Sequence, residues 1–420
     1  MAKPTSPARP QPVRLKRKAL EAYRRLVGDD EVAVIRDLAH ELRGTRVLEL
    51  SATATGGGVA EMLSSLVPLL RDVGLEAEWQ VIPGDLEFFT FTKDLHNGLQ
   101  GKPIEITARE REEYLAHNRA YAEALGDRWD VVVVHDPQPA AVRALAREPG
   151  RAKWVWRCHV DSSHHDPVAW EFLDPFVERY DRVVFTLPEF LPSELSAPTS
   201  FIQPAIDPLS AKNRELPAYL ARETVEELGI DLTRPLLIQV SRFDPWKDPL
   251  GVVEVWRAVR ETFPGLQLAM VGAMASDDPE AWGIYEALEN EIRGESDCLL
   301  LTNQMGVHAH EVNALQRVTD AAIQKSIREG FGLVVSETLW KGTPMVAGRA
   351  GGIPAQLEDG RGGRLATTTE EYVEAITGFL ERPAEARELA EAGRRRVRER
   401  FLITRLLRDQ LNLLHDLLAP

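Results

Sequence analysis

Along the first half of the chain, short apolar runs alternate with longer amphipathic stretches: RVLELS at 46–51, EAEWQVI at 76–82, DVVVVHD at 130–136, KWVWRCHV at 153–160 and DRVVFT at 181–186. Runs so continuously apolar are expected of strands covered on both faces, which predicts a parallel sheet with helices between its strands. After the proline-rich PTSFIQPAIDPLS at 198–210 the rhythm restarts, with PLLIQVS (235–241), LQLAMVG (266–272), DCLLL (297–301), TDAAIQ (319–324) and TPMVAG (343–348). The seam near 210 predicts a hinge between two doubly wound α/β domains. From residue 369 onward apolar positions recur at helical spacing, and Pro383 suits the first turn of a second helix there.

Composition narrows this picture. A chain of 420 residues exceeds what one core usually supports, and its 44% hydrophobic content can fill two. The net charge of −15 repels phosphate backbones over most of the surface, so a nucleic-acid partner is not expected. The exception is the N-terminus, where Lys3, Arg9, Arg14, Lys16, Arg17 and Lys18 precede the first acid, Glu21. Residues 1–20 are expected to form a solvated basic tail; they lack the apolar core of a signal peptide. No run of eighteen apolar residues offers a membrane span. Two separated cysteines, Cys158 and Cys298, fit a reducing compartment, so a cytoplasmic location is expected.

Four stretches carry candidate chemistry. In TGGGVAEML, directly after the first predicted strand, Gly56, Gly57 and Gly58 let backbone approach a ligand at a helix N-terminus, although a tight turn alone would also explain them. The pattern is not G-x-G-x-x-G, and no acid ends the second strand, which argues against a dinucleotide oxidoreductase. In WRCHVDSSHHDP, His159 and Asp161 fall at the carboxyl end of a strand, where open α/β sheets bind ligands. His159, Asp161, His164, His165 and Asp166 are of metal-ligand type but lack a recognised spacing, so no metal is assigned. In SRFDPWKDP, Arg242 and Lys247 offer a planar fork and a point charge to a diphosphate, or Lys247 simply pairs with Asp244.

The fourth stretch, SIREGFGLVVSETLWKGTPMVA at 326–347, reads as a loop holding Glu329 followed by a helix beginning just after Gly332. The amides of Gly330, Phe331, Gly332 and Leu333 then point out of the helix N-terminus, where the macrodipole attracts phosphate. Glu329 and Glu337 flank that anion site and suit sugar hydroxyls rather than phosphate. A phosphate centre with a sugar on either side is a nucleotide sugar.

With these residues the chain resembles the family 4 retaining glycosyltransferases of the GT-B fold: the early GGG, His159-Val160-Asp161, the Arg242 and Lys247 pair, and E-G-F-G-L-x-x-x-E from 329 to 337. SATATGGGVAEML, EFFTFTKDLHNGLQG (87–101), HVDSSHHDP and FTLPEF (185–190) further resemble trehalose synthases, which join nucleotide-activated glucose to free glucose. The resemblance implies two Rossmann-like domains facing each other across a cleft. Residues 21–210 would bind the acceptor and 211–400 the nucleotide sugar, with a helix at 401–420 packing back on the first domain. It assigns the transferred sugar's hydroxyls to Glu329, the ribose to Glu337 and the diphosphate to Arg242 and Lys247. The base falls to LTNQMGVHAHEVNALQR at 301–317, including Gln304 and Val307, and the acceptor to Gly56, Gly57, Gly58, Asp161 and Glu189. His159 would steady the sugar at the reacting centre. The implied donor is ADP-glucose or UDP-glucose, with no separate cofactor and a homodimer allowed. A trehalose phosphorylase, using the same cations for inorganic phosphate, and a non-catalytic sugar sensor are the competing expectations.

Overall fold

A computed structural model of the chain describes residues 12–146, 150–274, 279–357, 360 and 362–419. It divides into two compact units, Met1–Ala205 with Ile403–Pro420, and Ile206–Leu402.

The first unit is built on six parallel strands: β1 (Arg46–Ser51), β2 (Glu76–Val81), β3 (Val131–His135), β4 (Lys153–Arg157), β5 (Arg182–Phe185) and β6 (Thr199–Phe201). Their order across the sheet is β2-β1-β3-β4-β5-β6. Alternate residues serve opposite faces, as a pleated strand requires. Val47, Val131, Val133, Val155 and Val184 join one core, filled by the helix Gly57–Asp72 and by the helix Ile403–Leu418. Leu48, Leu50, Val132, Val134, Trp154 and Trp156 join the other, against the helices Leu86–Leu99, Ala108–Ala124 and Pro167–Val177. The helix Ile403–Leu418 buries Ile403, Leu406, Leu407, Leu411, Leu413, Leu414 and Leu417. Each is worth about 1.5–3 kcal/mol of transfer from water.

The second unit repeats the plan with β7 (Leu236–Val240), β8 (Gln267–Gly272), β9 (Cys298–Thr302), β10 (Ala321–Gln324), β11 (Met345–Gly348) and β12 (Arg364–Ala366). All pairings are parallel, in the order β12-β11-β10-β7-β8-β9. In each sheet the direction of winding reverses beside its first strand, between β1 and β3 and between β7 and β10. Loops at the carboxyl ends of strands beside such a reversal splay apart, which opens a crevice for ligands.

The expected basic tail is anchored to the first unit at two points. Pro12 bridges to Gln80, the Val13 amide donates to the Trp79 carbonyl at 2.8 Å, and Leu20 is buried with its amide on Asp72. Unpaired backbone along the edge strand β2 holds the start of this segment, while Arg14, Lys16 and Arg17 are exposed to solvent. Lys3 and Arg9 lie outside the described residues. Among the described residues no helix is long and apolar enough to cross a membrane. Cys158 and Cys298 are both free thiols buried in apolar surroundings.

Candidate active site

In the second unit the sequence-predicted residues gather at the β7/β10 reversal. Asp244 caps the turn Pro245–Lys247 after β7, its side chain accepting from the Trp246 amide at 2.9 Å. Asp248 follows in the left-handed conformation, φ +44°, capping the helix Pro249–Arg260 and ion-paired with Lys325. The loop after β10 is drawn against this turn, the Ile327 amide donating to the Trp246 carbonyl at 2.8 Å. Lys247 and Glu329, 82 residues apart in sequence, then meet as an ion pair at 2.8 Å with both side chains 13% exposed. Lys247 also donates to the Arg328 carbonyl, and Ser326 to the same Glu329 oxygen, leaving the second Glu329 oxygen without a protein donor among the described residues. Arg242, not Lys247, pairs with Asp244, at 3.0 Å, and stays more than half exposed. It is a cation held loosely enough to be recruited.

Gly332, at φ +79°, caps the helix Leu333–Trp340. The amides of Gly330, Phe331, Gly332 and Leu333 donate to no protein group among the described residues, so they remain available to a ligand. The turn is locked from behind. Gln356 donates to the Phe331 carbonyl and accepts from Ser336, while the Gly352 amide donates to the Gly330 carbonyl. Gly351, at φ +50°, packs so closely that a Cβ would stand 1.7 Å from the Glu329 carbonyl oxygen. Only glycine permits that approach. Glu337 is 3% exposed and its Oε1 lies 3.3 Å from Lys212 Nζ, so it is a paired buried carboxylate rather than an open rim group. After β9, Gln304 is exposed and Val307 buried, the Val307 amide closing the turn on the Thr302 carbonyl.

In the first unit Gly56 and Gly57 adopt φ +75° and +78° before the helix Gly57–Asp72, with open space where a Cβ would stand. The turn needs their conformation, not their smallness, and Gly58 is an ordinary helical residue. Asp161 accepts from the amide and hydroxyl of Ser163, whose Oγ also meets His164 Nδ1 at 2.9 Å. His165 bonds the Ser162 carbonyl and Asp166 caps the helix Pro167–Val177. Glu189 is exposed on the turn Pro188–Phe190.

Around His159 the structure adds residues that spacing did not single out. His159 Nε2 lies 2.9 Å from His135 Nδ1, and His135 Nε2 lies 2.7 Å from Glu49 Oε2. Glu49 and His135 are at most 1% exposed, and Gln410 approaches the other Glu49 oxygen at 3.5 Å. Arg157 is buried near Glu49 and Asp136; desolvation pushes its guanidinium down to about 10, partly offset by Glu49. Asp136, at φ +64°, accepts from the His159 amide at 2.8 Å, and burial pushes its carboxyl up to about 6. His159 is itself held well below the ordinary imidazole range, by desolvation first and then by Arg157 and His135. The signals were present: a glutamate inside the apolar run RVLELS, and a histidine closing VVVVH.

With this geometry in view, residues 49–192 match the family described as trehalose synthase, N-terminal domain, and residues 221–396 match glycosyl transferases group 1. A trehalose synthase of Rubrobacter xylanophilus is 48% identical over 407 residues, covering 96% of this chain and 98% of that protein. The chain belongs to the trehalose synthase family. The Pyrococcus horikoshii trehalose synthase is 44% identical over 404 residues, 96% of this chain and 97% of that protein. More distant is a trehalose phosphorylase of Pleurotus pulmonarius, 27% identical over 86% of this chain but only 55% of that protein. In fold the chain is a GT-B glycosyltransferase. A UDP-forming trehalose-phosphate synthase from Burkholderia xenovorans superposes with a TM-score of 0.73 at 16% identity, over 90% of this chain and 100% of that one. A sucrose-phosphate synthase from Thermosynechococcus elongatus gives 0.70 at 18%, over 89% and 99%. This member of the trehalose synthase family is therefore a hexosyltransferase. Glu49, His135 and His159 lie within the first matched region, and Arg242, Lys247, Glu329 and Glu337 within the second.

Proposed function

We propose that this enzyme transfers glucose from a nucleotide diphosphate glucose to the anomeric hydroxyl of free glucose, giving trehalose with retention at the donor carbon. The observation that carries the reading is the Lys247–Glu329 pair set beside the open amides of Gly330 to Leu333. Two cations and a helix N-terminus address a diphosphate, and a carboxylate with one free oxygen addresses sugar hydroxyls. In the reaction the donor C1–O bond breaks as charge gathers on the leaving phosphate oxygens. On this reading Lys247, the helix amides and Arg242, once drawn from Asp244, meet that charge. The acceptor oxygen bonds to C1 on the face the phosphate leaves, and its proton passes to the departing phosphate. This accords with the assignment of Glu329, by resemblance, to sugar hydroxyls rather than to a nucleophile behind C1.

Gly56, Gly57, Gly58, Asp161 and Glu189 are assigned to the acceptor. Gln304 and Val307 are assigned to the base, for which adenine and uracil are both accommodated by the reading. A ribose contact at Glu337 requires Lys212 to share or yield the carboxylate. That enclosure favours the second reading, a phosphorylase acting on trehalose and phosphate, which needs no ribose site. The test is incubation of the purified protein with glucose and, separately, ADP-glucose, UDP-glucose and glucose 1-phosphate. Trehalose from a nucleotide glucose supports the synthase, and trehalose from glucose 1-phosphate alone replaces it with the phosphorylase. No disaccharide from any donor refutes both.

A further inference from the structure

The chain Glu49–His135–His159 runs from inside β1 through the last residue of β3 to the loop just after β4, beside the first unit's winding reversal. A buried carboxylate in a central parallel strand is expensive unless it is paired and hydrogen-bonded. Glu49 shares its sheet face with Val47, Val131 and Val133, residues of an otherwise apolar core. A merely structural polar pair would close on itself, whereas this one leads outward to a histidine that is only partly buried.

The hydrogen positions follow from the acceptors. As a carboxylate Glu49 can only accept, and its two oxygens face His135 Nε2 at 2.7 Å and Gln410 Nε2 at 3.5 Å. With both imidazoles neutral, His135 carries its proton on Nε2 and offers a lone pair at Nδ1. His159 Nε2 must then be the N–H that fills it, and His159 Nδ1 is left as an acceptor. That nitrogen bonds no protein group among the described residues. The ring is held by its bond to His135: with the two nitrogens 2.9 Å apart, the ring planes lie 10° apart and the centroids 5.2 Å apart, an end-to-end arrangement.

We infer that Glu49 and His135 are positioning residues which fix His159 in the Nε2–H tautomer, so that its Nδ1 accepts a hydrogen bond from a substrate hydroxyl. The inference rests on the proposed sugar-transfer reading for its substrate, but not for its geometry. Protonation of His135 reverses the pattern: both its nitrogens donate, His159 Nε2 must accept, and Nδ1 becomes a donor. The charged groups around the relay are Arg157 and Asp136 at the ends of β4 and β3, with Arg405 and Asp409 of the helix Ile403–Leu418 next to Arg157. Asp136, whose carboxyl is pushed up to about 6 by burial, holds the His159 backbone amide.

The test uses the full chain labelled with 15N at histidine, its ring nitrogens read by long-range proton–nitrogen NMR at pH 8. Wild-type His159, assigned by its loss in His159→Asn, is expected as the Nε2–H tautomer. Glu49→Gln keeps the shape but can either donate to or accept from His135, so His159 is expected to populate both tautomers. The turnover rate should fall on the order of 10- to 100-fold, with KM for the nucleotide donor unchanged. His135→Gln, which retains one donor and one acceptor, should recover part of the activity lost in His135→Phe. An Nδ1–H wild-type ring overturns the inference without any variant. So does a Glu49→Gln protein with unchanged tautomer and turnover. Failure of the wild type to make trehalose from any donor refutes the proposed function instead, and leaves the tautomer measurement standing.

Discussion

Replacing Lys247 by methionine should separate two jobs that one side chain performs. In the ligand-free protein its ammonium is 2.8 Å from Glu329, both side chains are 13% exposed, and the remaining donor to Glu329 is the Ser326 hydroxyl at 3.3 Å. Breaking a fully buried pair costs about 3–5 kcal/mol, and an exposed one about 0–1. At this burial Lys247→Met should cost about 2 kcal/mol, chiefly by stranding the Glu329 carboxylate. For a unit of this size that is a fall in Tm of about 4–8 °C. Glu329→Gln in the same chain removes the stranded charge, so the double variant should regain at least half of that loss. Binding should behave differently. One charge-assisted bond to the diphosphate is worth about 1.5–3 kcal/mol, which corresponds to a nucleotide Kd weaker by roughly 10- to 150-fold. The double variant should not recover it. Calorimetric titration with UDP and ADP, beside thermal unfolding of the four proteins of the cycle, reads both. Wild-type nucleotide affinity in Lys247→Met, or a double variant no more stable than the single, would refute the assignment.

Three further outcomes follow from the geometry. Gly56→Ala and Gly57→Ala meet open space but a left-handed backbone, so each should lower stability by about 1–2 kcal/mol; Gly351→Ala meets the Glu329 carbonyl at 1.7 Å and should abolish nucleotide binding, checked by equilibrium dialysis. Asp136 is pushed from 3.8 up to about 6, so folding takes up a proton there and this group's contribution to stability falls as pH rises from 4 to 6. Asp136→Asn should remove that fall, at most about 3 kcal/mol, seen as a flatter dependence of urea midpoint on pH. Leu411→Ala, at a fully buried position of the helix Ile403–Leu418, should cost about 2–5 kcal/mol by chemical denaturation while leaving nucleotide affinity unchanged.

The fold was legible wherever strands are buried on both faces. VVVV at 131–134 and LLIQV at 236–240 announce central parallel strands because both of their faces bury mainly apolar side chains. The strands that escaped notice, β6 (TSF) and β12 (RLA), are short edge strands with partly exposed residues, where that pressure is absent. The loop motif at 329–337 was readable because glycines and a helix start are local. The pairing of Lys247 with Glu329, and of Glu49 with His135, was not, since each joins residues more than eighty apart and depends on strand order. Glu337 shows the same limit: its place in the helix was evident, while its burial against Lys212 belongs to tertiary packing.

The return of residues 403–418 to the first unit has a consequence for how the protein is made. The ribosome delivers strands β1 to β6 first, then all of residues 206–402, and only afterwards the helix that supplies Ile403 to Leu417 to the first core and Gln410 to Glu49. At about 5–20 residues per second the intervening stretch takes on the order of 10–40 s to emerge. Throughout that interval one face of the first sheet, with a carboxylate inside it, lacks the part of its cover that this helix supplies. The second unit, continuous in sequence, can finish before the first, which reverses the usual order of folding during synthesis. Nascent chains stalled between residues 206 and 402 should therefore offer chaperones a large apolar surface from the first unit.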